Sequence, residues 1–450
     1  MANMISNIFK VPDLRKRVMF TVMALIVFRI GCHITAPGID PLGMQDLMRE
    51  LSSQSFGGLM EYFNMFVGGA FKKFTIFALG IMPYISASII INLLQTVVPH
   101  LERLRKEGEQ GRKKIQQYTR IGTVLICIIQ ATSISIWISN QGDVIASSLQ
   151  DARLLFTILV VTSITTGTIF LMWLGEQITE RGIGNGISLL IFAGIAARIP
   201  NQLLLTVGKV QEKEVNPISF IAILLIFCII VFFVVYEQLG QRRIPVQFAR
   251  KVVGRKVYGS QSSYLPFKIN PSGVIPIIFA SAVVMLPTQL VQMIGRDYQT
   301  LANIVSYFTP GRIPYVFFYG TLVVLFAYYY TQIQFNPVEI AGNLKKNGGY
   351  IPGIRPGVHT QEYLQKVLIR ITLAGSLFLA FIAVLPSLLL KVDFFGDIPK
   401  GFVYLMGGTS LLILVAVDLD TMKQIESQLM MREYEGFMSK NKKKKRNRGR

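Results

Sequence analysis

The chain has 450 residues, of which 51% are hydrophobic and only 16% are charged, with a formal net charge of +21. A soluble protein of this length would divide into two or three ordinary domains, but this composition excludes that class. The apolar residues fall into repeated stretches of about 20, the length that crosses the hydrocarbon core of a bilayer as a helix. The sequence therefore predicts an all-α membrane protein with many spans.

Ten long apolar stretches predict ten transmembrane helices, and an even number leaves both termini on one side of the membrane. In chain order, the predicted spans are residues 18–36, 74–98, 121–138, 154–174, 183–199, 217–236, 271–293, 314–335, 371–390 and 402–417. Segment 1–17 is polar and basic, and no small-residue cleavage site follows the first apolar stretch. That stretch is therefore expected to be a retained span and not a signal peptide.

The basic residues lie mostly on one side of the predicted membrane. The terminal segments and loops on the N-terminal side hold 34 of the 46 Lys and Arg residues. The positive-inside rule therefore predicts that both termini and these loops are cytoplasmic. Topology alone explains many of the scattered lysines. The loops at 237–270 and 336–370 are longer than a helix connection needs, which indicates docking surfaces.

The predicted spans lack the side chains that other classes of membrane protein need. Apart from Arg29, no span carries Asp, Glu, Lys, Arg or His in its interior, which argues against proton- or ion-coupled transport. The sequence has no catalytic triad, HExxH motif or P-loop, so no enzyme, cofactor or metal site is predicted. Cys32, Cys127 and Cys228 lie in apolar stretches without metal-ligand spacing and are expected to be buried thiols.

A short repeat divides the chain. Residues 80–85 (GIMPYI) and 273–278 (GVIPII) both read GxxPxI, and each lies in the second span of a set of five. The motif alone is weak, but its equivalent placement is typical of an internally repeated channel or transporter. We predict two pseudo-symmetric halves, residues 18–205 and 217–421, joined by a hinge at residues 206–216. A basic tail, residues 422–450, follows the second half.

Segment 52–69 is apolar and rich in glycine, and it is too short to cross the membrane. One interpretation is an amphipathic stretch at the membrane surface. The other is a short re-entrant helix inserted into a pore, because a backbone that does not span can lie at membrane depth only where protein or water satisfies it.

Long motifs in the chain closely resemble those of the bacterial members of the SecY/Sec61-alpha family. They include MFVGGAFKKFTIFALGIMPYISASIII, KEGEQGRKKIQQYTRIGT and ITERGIGNGISLLIFAGI, followed by RRIPVQFARKVVGRKVYG and GGYIPGIRPG. The resemblance covers nearly the whole chain in the family order. The sequence differs from the family pattern only in the outer loops 140–152, 200–216 and 294–313 and in the lysine-rich tail 440–450.

This resemblance implies a protein-conducting channel that carries unfolded secretory polypeptides across the bacterial inner membrane and releases membrane segments sideways. The implied architecture is two five-helix halves, related as an inverted repeat, around a pore with a lateral gate. The gate would lie between spans 2 and 3 on one side and spans 7 and 8 on the other. The re-entrant segment would be the family's plug, at about residues 56–71.

The resemblance also assigns residues. The implied pore ring is Ile81, Ile85, Ile187, Ile191, Ile278 and Ile413. The implied plug residues are Phe56, Leu59, Met60, Phe63, Met65, Phe66 and Val67. The repeat and gate positions are Pro83, Asn92 and Pro276. Two i, i+4 pairs within the ring each share a helix face, which makes them plausible pore residues without the resemblance. Ordinary packing remains the alternative for any single isoleucine.

Basic residues of the two long loops form the predicted docking set for whatever drives translocation. They alternate with apolar residues or stand at a loop tip between Gly and Pro, and they are Arg242, Arg243, Arg250, Lys251, Arg255, Lys256 and Arg355. Such cations suit ribosomal RNA phosphates or an acidic motor surface. The implied partners are SecE and SecG, the SecA ATPase, the ribosome, preproteins with signal sequences, membrane lipid, and in addition SecDF and YidC.

Two other functional classes share some of these features. A secondary transporter shares the repeat, but it would carry polar ligands at the middle of broken helices. A membrane-anchored nucleic-acid scaffold would explain the basic face, but not ten spans with a re-entrant element. No DNA partner is predicted.

Overall fold

The computed structural model describes residues 11–53, 64–139, 144–146, 149, 152–248, 251–253, 256–258, 262–294 and 312–447. Contacts between residues divide the chain into two compact units. The first unit comprises Met1–Leu205, Pro287–Ser306 and Ile413–Arg450, and the second comprises Thr206–Leu286 and Tyr307–Leu412. The pseudo-symmetric halves named above remain a prediction.

Helices dominate both units. The α-helices are α1 Pro12–Gly31, α2 Pro41–Ser53, α3 Met82–Val97, α4 Pro99–Lys106, α5 Glu109–Ser139, α6 Arg153–Arg181, α7 Gly186–Ala196, α8 Ile199–Gln211, α9 Pro217–Leu239, α10 Ile275–Ile294, α11 Ile313–Gln334, α12 Pro337–Lys346, α13 Val358–Leu389, α14 Lys400–Met406 and α15 Gly408–Asn447. The strands are β1 Gln241–Phe248, β2 Lys251–Val253, β3 Lys256–Tyr258, β4 Ser262–Lys268 and β5 Gly349–Tyr350.

Among the described residues, seven helical stretches are long and apolar enough to cross a membrane. They are Glu109–Ser139, Arg153–Arg181, Gly186–Gln211, Pro217–Leu239, Ile313–Lys346, Val358–Leu389 and Lys400–Met431. The pair α3 and α4 passes the same criterion together, with a bend of 96° between them. Helices α1 and α10 occupy the first and seventh predicted spans. The predicted class, a polytopic helical membrane protein, is confirmed.

Local sequence explains where several helices begin. The side-chain oxygens of Asn185, Asn216 and Asn336 accept hydrogen bonds from amides in the first turns of α7, α9 and α12. Proline follows directly at the first position of α9 and α12. Proline there lacks only an amide that would be unpaired anyway, so Asn-Pro is a strong start signal.

The second span differs from its predicted bounds. A continuous helix over residues 74–98 was expected, but residues 70–81 form successive turns and α3 begins only at Met82. Gly80 has a φ of +56°, a left-handed conformation that an α-helix does not accommodate. Pro83 then occupies the first turn of α3, where it is tolerated.

Two further expectations need correction. The tenth span is not one helix, because Gly407 is extended and separates α14 from α15. The segment predicted as a hinge, 206–216, is helical through Gln211, the end of α8, and its role as a hinge stays a prediction. Cys32 and Cys127 are buried as expected, whereas Cys228 is exposed on α9. Helix α9 is apolar on all faces, so composition does not reveal which side chains point outward.

The loop 237–270 contains a small sheet that was not predicted. Strand β1 pairs antiparallel with β4 along its length, with Arg242 opposite Phe267, and with β5 at Gln247 and Phe248. The order is β4-β1-β5, and β2 and β3 form a separate hairpin. Because β5 belongs to the other long loop, the two predicted docking loops join in one sheet of the second unit.

Helices α5 and α6 are joined by an ion pair inside the first unit. The Arg120 guanidinium donates to both carboxylate oxygens of Glu176, from Nη2 at 2.7 Å and from Nε at 2.9 Å, and Gln116 donates to Oε1 at 3.0 Å. Glu176 is only 11% exposed and Arg120 is 44% exposed. A bidentate ion pair of this kind is stronger than an ordinary ion pair on the surface.

We expect Glu176→Gln to lower the thermal unfolding midpoint, with a loss of roughly 1–2 kcal/mol in stability after allowance for the partial exposure of Arg120. The matched control is Glu109→Gln on α5, whose carboxylate pairs with Lys113 at 3.6 Å and is 87% exposed. That control should change stability by less than about 0.5 kcal/mol. Equal midpoints for the two variants would show that the Arg120 pair contributes no more than a surface pair.

Candidate functional site

The base of the predicted plug lies in the core of the first unit. Phe56, Leu59, Met60 and Phe63 fall outside the described residues. Met65, Phe66 and Val67 are described, and all three are buried. The described C-terminal part of the predicted plug, residues 64–69, is called the plug base here, and it is anchored by apolar packing.

Asn64 closes a tight turn at this base. The residue is 1% exposed. Its side-chain Oδ1 accepts a hydrogen bond from the Lys72 amide at 3.1 Å, and its carbonyl accepts one from the Gly69 amide at 3.0 Å. A buried amide side chain whose oxygen is paired with backbone fixes the loop in one conformation.

Two glycines bring the plug base against α7. Gly68 has a φ of +70°, and a Cβ built on it would lie 2.9 Å from the Gly194 Cα. A Cβ on Gly194 would in turn lie 3.2 Å from the Gly68 backbone. The two backbones therefore touch directly, and a side chain at either position would push the plug base away from α7.

Arg29 holds the same turn from α1. Its Nη1 donates to the Gly68 carbonyl at 3.0 Å. From the sequence, Arg29 is distinguished only as the one charge inside a predicted span, without a role. Its isolation among the apolar residues of the predicted span 18–36 was the available signal, because a charge there is retained only where a partner satisfies it.

The predicted pore-ring residues are distributed over both units. The first unit holds Ile81, Ile85, Ile187, Ile191 and Ile413, and the second holds Ile278. All are buried except Ile187, which is partly exposed. Ile187 Cγ1 lies 3.2 Å from where a Cβ on Gly175 would stand, so this side chain packs on α6. Their assignment to a pore remains a prediction.

The GxxP repeat has the same local geometry in both units. Gly80 and Gly273 have φ values of +56° and +62°. A helix begins two residues after each glycine, with Pro83 and Pro276 in the first turns of α3 and α10. The glycine supplies a left-handed turn and the proline starts the helix, so the motif is a helix-start device in both copies. The remaining gate position, Asn92, accepts a hydrogen bond from Gln95 at 3.1 Å within α3.

The predicted docking residues are only partly described. Arg250 and Arg255 lie outside the described residues, and Lys251 and Lys256 lie on the β2–β3 hairpin. Arg242 and Arg243 are exposed neighbours on β1. Side chains alternate along a strand, so these two point to opposite faces, and Arg243 lies over the Tyr264 ring at 4.8 Å.

Arg355 stands on an exposed turn of the other long loop. Gly353 and Gly357 on either side have φ values of +80° and +107°, and Pro356 restricts the backbone further. The Arg355 carbonyl accepts a hydrogen bond from the Thr360 hydroxyl at 2.9 Å. The backbone around this guanidinium is thus fixed while its side chain is exposed to solvent.

A SecY family model matches residues 75–422 of this chain. The protein translocase subunit SecY of Escherichia coli (strain K12) is 44% identical over 437 residues, which cover 95% of this chain and 94% of that protein. This chain belongs to the SecY family. The Thermotoga maritima protein translocase subunit SecY is 43% identical over 441 residues, 97% of each chain.

Solved structures carry the same fold as this chain at lower sequence identity. A protein-conducting channel matches with a TM-score of 0.65 and 19% identity, over 92% of both chains. Sec61 in a canine ribosome-channel complex matches with a TM-score of 0.62 and 18% identity, also over 92% of both chains.

We expect Arg29→Gln to loosen the plug base, because the shorter amide does not reach the Gly68 carbonyl. The measurement is the rate at which a thiol reagent labels a single cysteine at Val67, with the three native cysteines replaced by alanine. Loss of one charged hydrogen bond, about 1.5–3 kcal/mol, should speed labelling by roughly ten- to a hundredfold.

The matched control is Arg17→Gln, which removes another arginine of α1 that donates to a carbonyl, here Gly182 at 3.4 Å. That variant leaves residues 64–69 untouched and should label as slowly as the parent. Similar rates for the two variants would contradict a specific role of Arg29 at the plug base.

Proposed function

We propose that this chain is the channel-forming subunit of a protein translocase in the bacterial inner membrane, with both termini cytoplasmic. The observation that carries the proposal is about 44% identity to protein translocase SecY subunits over 95% of the chain. The buried turn that anchors residues 64–69 supports it, because a plug needs a fixed base from which its tip moves.

The channel's substrate explains why the spans are so poor in ionisable groups. A translocating polypeptide presents every type of side chain in turn, so specific polar contacts would trap some segments. A collar of aliphatic side chains adapts to any segment and, when closed, excludes water and ions by dewetting. The described, buried candidates for this collar in the first unit are Ile81, Ile85, Ile191 and Ile413.

Apolar segments of the substrate leave by a different route. A signal sequence or membrane segment gains about 25 cal/mol for each Å² of apolar surface that it moves from water into lipid. Lateral release therefore needs no energy from the channel itself. Translocation of polar chain does need energy, and we assign that to partners, since the chain has no predicted nucleotide site.

The cytoplasmic sheet is the proposed receiver of those partners. The Tyr350 hydroxyl donates to Gln247 Oε1 at 3.0 Å, which links the two long loops across 103 residues of sequence. Arg243 and Arg355 would then belong to one surface for an acidic motor or for ribosomal RNA. SecA and the ribosome are the proposed drivers, SecE and SecG the proposed companion subunits, and SecDF and YidC further partners.

The direct test is reconstitution of the purified chain with SecE and SecG in vesicles, followed by SecA, ATP and a preprotein. Protease protection of the preprotein would measure transport. A chain that assembles with its companions but transports nothing would contradict the proposal.

We expect Arg355→Glu to slow SecA-driven transport roughly tenfold at limiting SecA, because it inverts a charge at an exposed turn without disturbing packing. The control is Lys391→Glu, the same type of charge inversion at an exposed residue of a predicted outer loop. It should transport normally. If both variants match the parent at every SecA concentration, Arg355 does not contact the motor.

We expect Ile413→Asn to shift the channel towards its open state. The buried isoleucine loses roughly 1.5–3 kcal/mol of apolar burial, and the amide is satisfied only where water enters. Preproteins with defective signal sequences should then pass more readily, with ion conductance raised roughly five- to a hundredfold. The control, Ile164→Asn, alters an equally buried isoleucine of α6; it should lower stability without opening a conductance. If neither variant conducts ions, Ile413 is a packing residue and not part of the ring.

A further inference from the structure

A basic cleft lies where the sheet of the second unit meets α13. Its volume is about 140 Å³, and it is lined by Arg242, Tyr363, Lys366, Val367 and Arg370. Three of these five side chains are cations, and they come from two different elements. The cleft has no part in the plug, the isoleucine ring or the turn that carries Arg355.

The packing of β1 on α13 fixes Arg242 at this cleft. Arg242 lies on the same face of β1 as Ile244 and Val246, and these two belong to one buried cluster with Leu364 and Leu368 of α13. Arg242 therefore continues the face of the strand that packs on the helix, at the edge of the apolar cluster.

The contact between the sheet and α13 is also close. Strand β4 runs into Ile269, and a Cβ on Gly375 of α13 would lie 2.7 Å from the Ile269 carbonyl oxygen. Direct backbone contact of this kind holds the strands and the helix at one spacing, so the cleft is built by rigid elements and not by loops.

The positive charge of the cleft is not neutralised within the described part of the chain. No ion pair forms there at Arg242, Lys366 or Arg370. The acidic residue one turn before Lys366 on α13, Glu362, lies 3.8 Å from His359 instead. Three cations around one small cavity repel each other, and an anion in the cavity would relieve that repulsion.

The cleft opens directly onto an apolar face of α13. Arg370 is the last charged residue before the apolar part of the helix. Leu373, Leu377 and Phe381 follow it at i+3, i+7 and i+11, so they lie on the face of Arg370, and they are 47%, 56% and 59% exposed. In a membrane-spanning helix such a face is covered by acyl chains.

We propose that this cleft binds the headgroup phosphate of an anionic phospholipid, with its acyl chains along Leu373, Leu377 and Phe381. Basic pockets at the cytoplasmic ends of transmembrane helices suit acidic headgroups. The cations and the apolar stripe lie next to each other on one helix face. This favours a lipid over RNA, because a nucleic acid has no acyl chains to pack on the stripe. In this arrangement Arg242 binds the lipid headgroup, while its neighbour Arg243 lies on the opposite face of the strand.

The test measures lipid bound to the purified translocase complex, titrated in detergent with phosphatidylglycerol or with phosphatidylcholine and read by native mass spectrometry. The probe variant is Lys366→Gln/Arg370→Gln. The matched control is Lys345→Gln/Lys346→Gln, which removes two exposed charges from α12 of the same unit without touching the cleft. We expect the probe variant to bind phosphatidylglycerol roughly ten- to thirtyfold more weakly, and the control to bind it as the parent does.

Two further arms separate the possible anions. Leu373→Ala/Leu377→Ala keeps every cation and should still weaken phosphatidylglycerol binding, while millimolar inorganic phosphate should not displace the lipid from the parent. Arg242→Gln reaches the cleft from β1 and should weaken binding even if the α13 variant is unstable. Because no preprotein or motor is present, failure of this proposal leaves the proposed transport function untouched.

The proposal is overturned if the probe and control variants bind phosphatidylglycerol equally. It is also overturned if phosphatidylcholine binds as tightly as phosphatidylglycerol, or if inorganic phosphate displaces the lipid fully, which would indicate a free-anion site. Weakened ribosome binding with unchanged lipid binding would instead make the cleft part of the docking surface.

Discussion

A backbone that leaves the helical conformation inside a membrane protein must find partners for its amides and carbonyls, and residues 70–81 meet that constraint in the first unit. The Ala36 amide donates to the Phe74 carbonyl at 2.9 Å, and the Ile76 amide donates to the Ile34 carbonyl at 3.0 Å. The chain that follows α1 thus supplies the partners that a helix would have supplied internally. A Cβ on Gly167 of α6 would collide with the Ile76 carbonyl oxygen, so the backbone of α6 also lies directly against this segment.

The position of the candidate plug and ring depends on that irregular segment. It ends at Gly80, whose left-handed turn leads into α3 with Ile81 as its N-terminal flanking residue. Val67 packs against the same glycine, since its Cγ1 lies 3.0 Å from where a Cβ on Gly80 would stand. A continuous helix from residue 74 would remove the turn and carry Ile81 and Ile85 to other positions. The break in the second span is therefore what brings the base of the predicted plug next to Ile81, the first of the predicted ring residues.

Hydropathy was enough to predict the class of fold, because a span must be apolar whatever lies around it. It did not predict that residues 70–81 are irregular, because the hydrogen bonds that stabilise them come from residues about 40 positions earlier in the chain. Sequence distance likewise hides part of the sheet, the pairing of β1 with β5, although the β1–β4 pair lies within one loop. Segment 242–248 alternates polar and apolar residues, a strand pattern, and Ile244 and Val246 are buried. Its partner β5 lies about 100 residues further along, and no local pattern identifies it.

The candidate site was predicted through family resemblance more than through local pattern, and the structure adds residues that neither indicated. Arg29 and Gly194 both contact Gly68, yet nothing within either helix points to residue 68. In the second unit, β1 carries two adjacent arginines to opposite faces, one over Tyr264 and one into the cleft on α13. Because β1 and α13 share a buried cluster, a partner that binds the outer face of the sheet acts on the same rigid body that meets the membrane. A displacement of this sheet is therefore transmitted to α13, a helix long and apolar enough to cross a membrane, through packed side chains and a direct backbone contact.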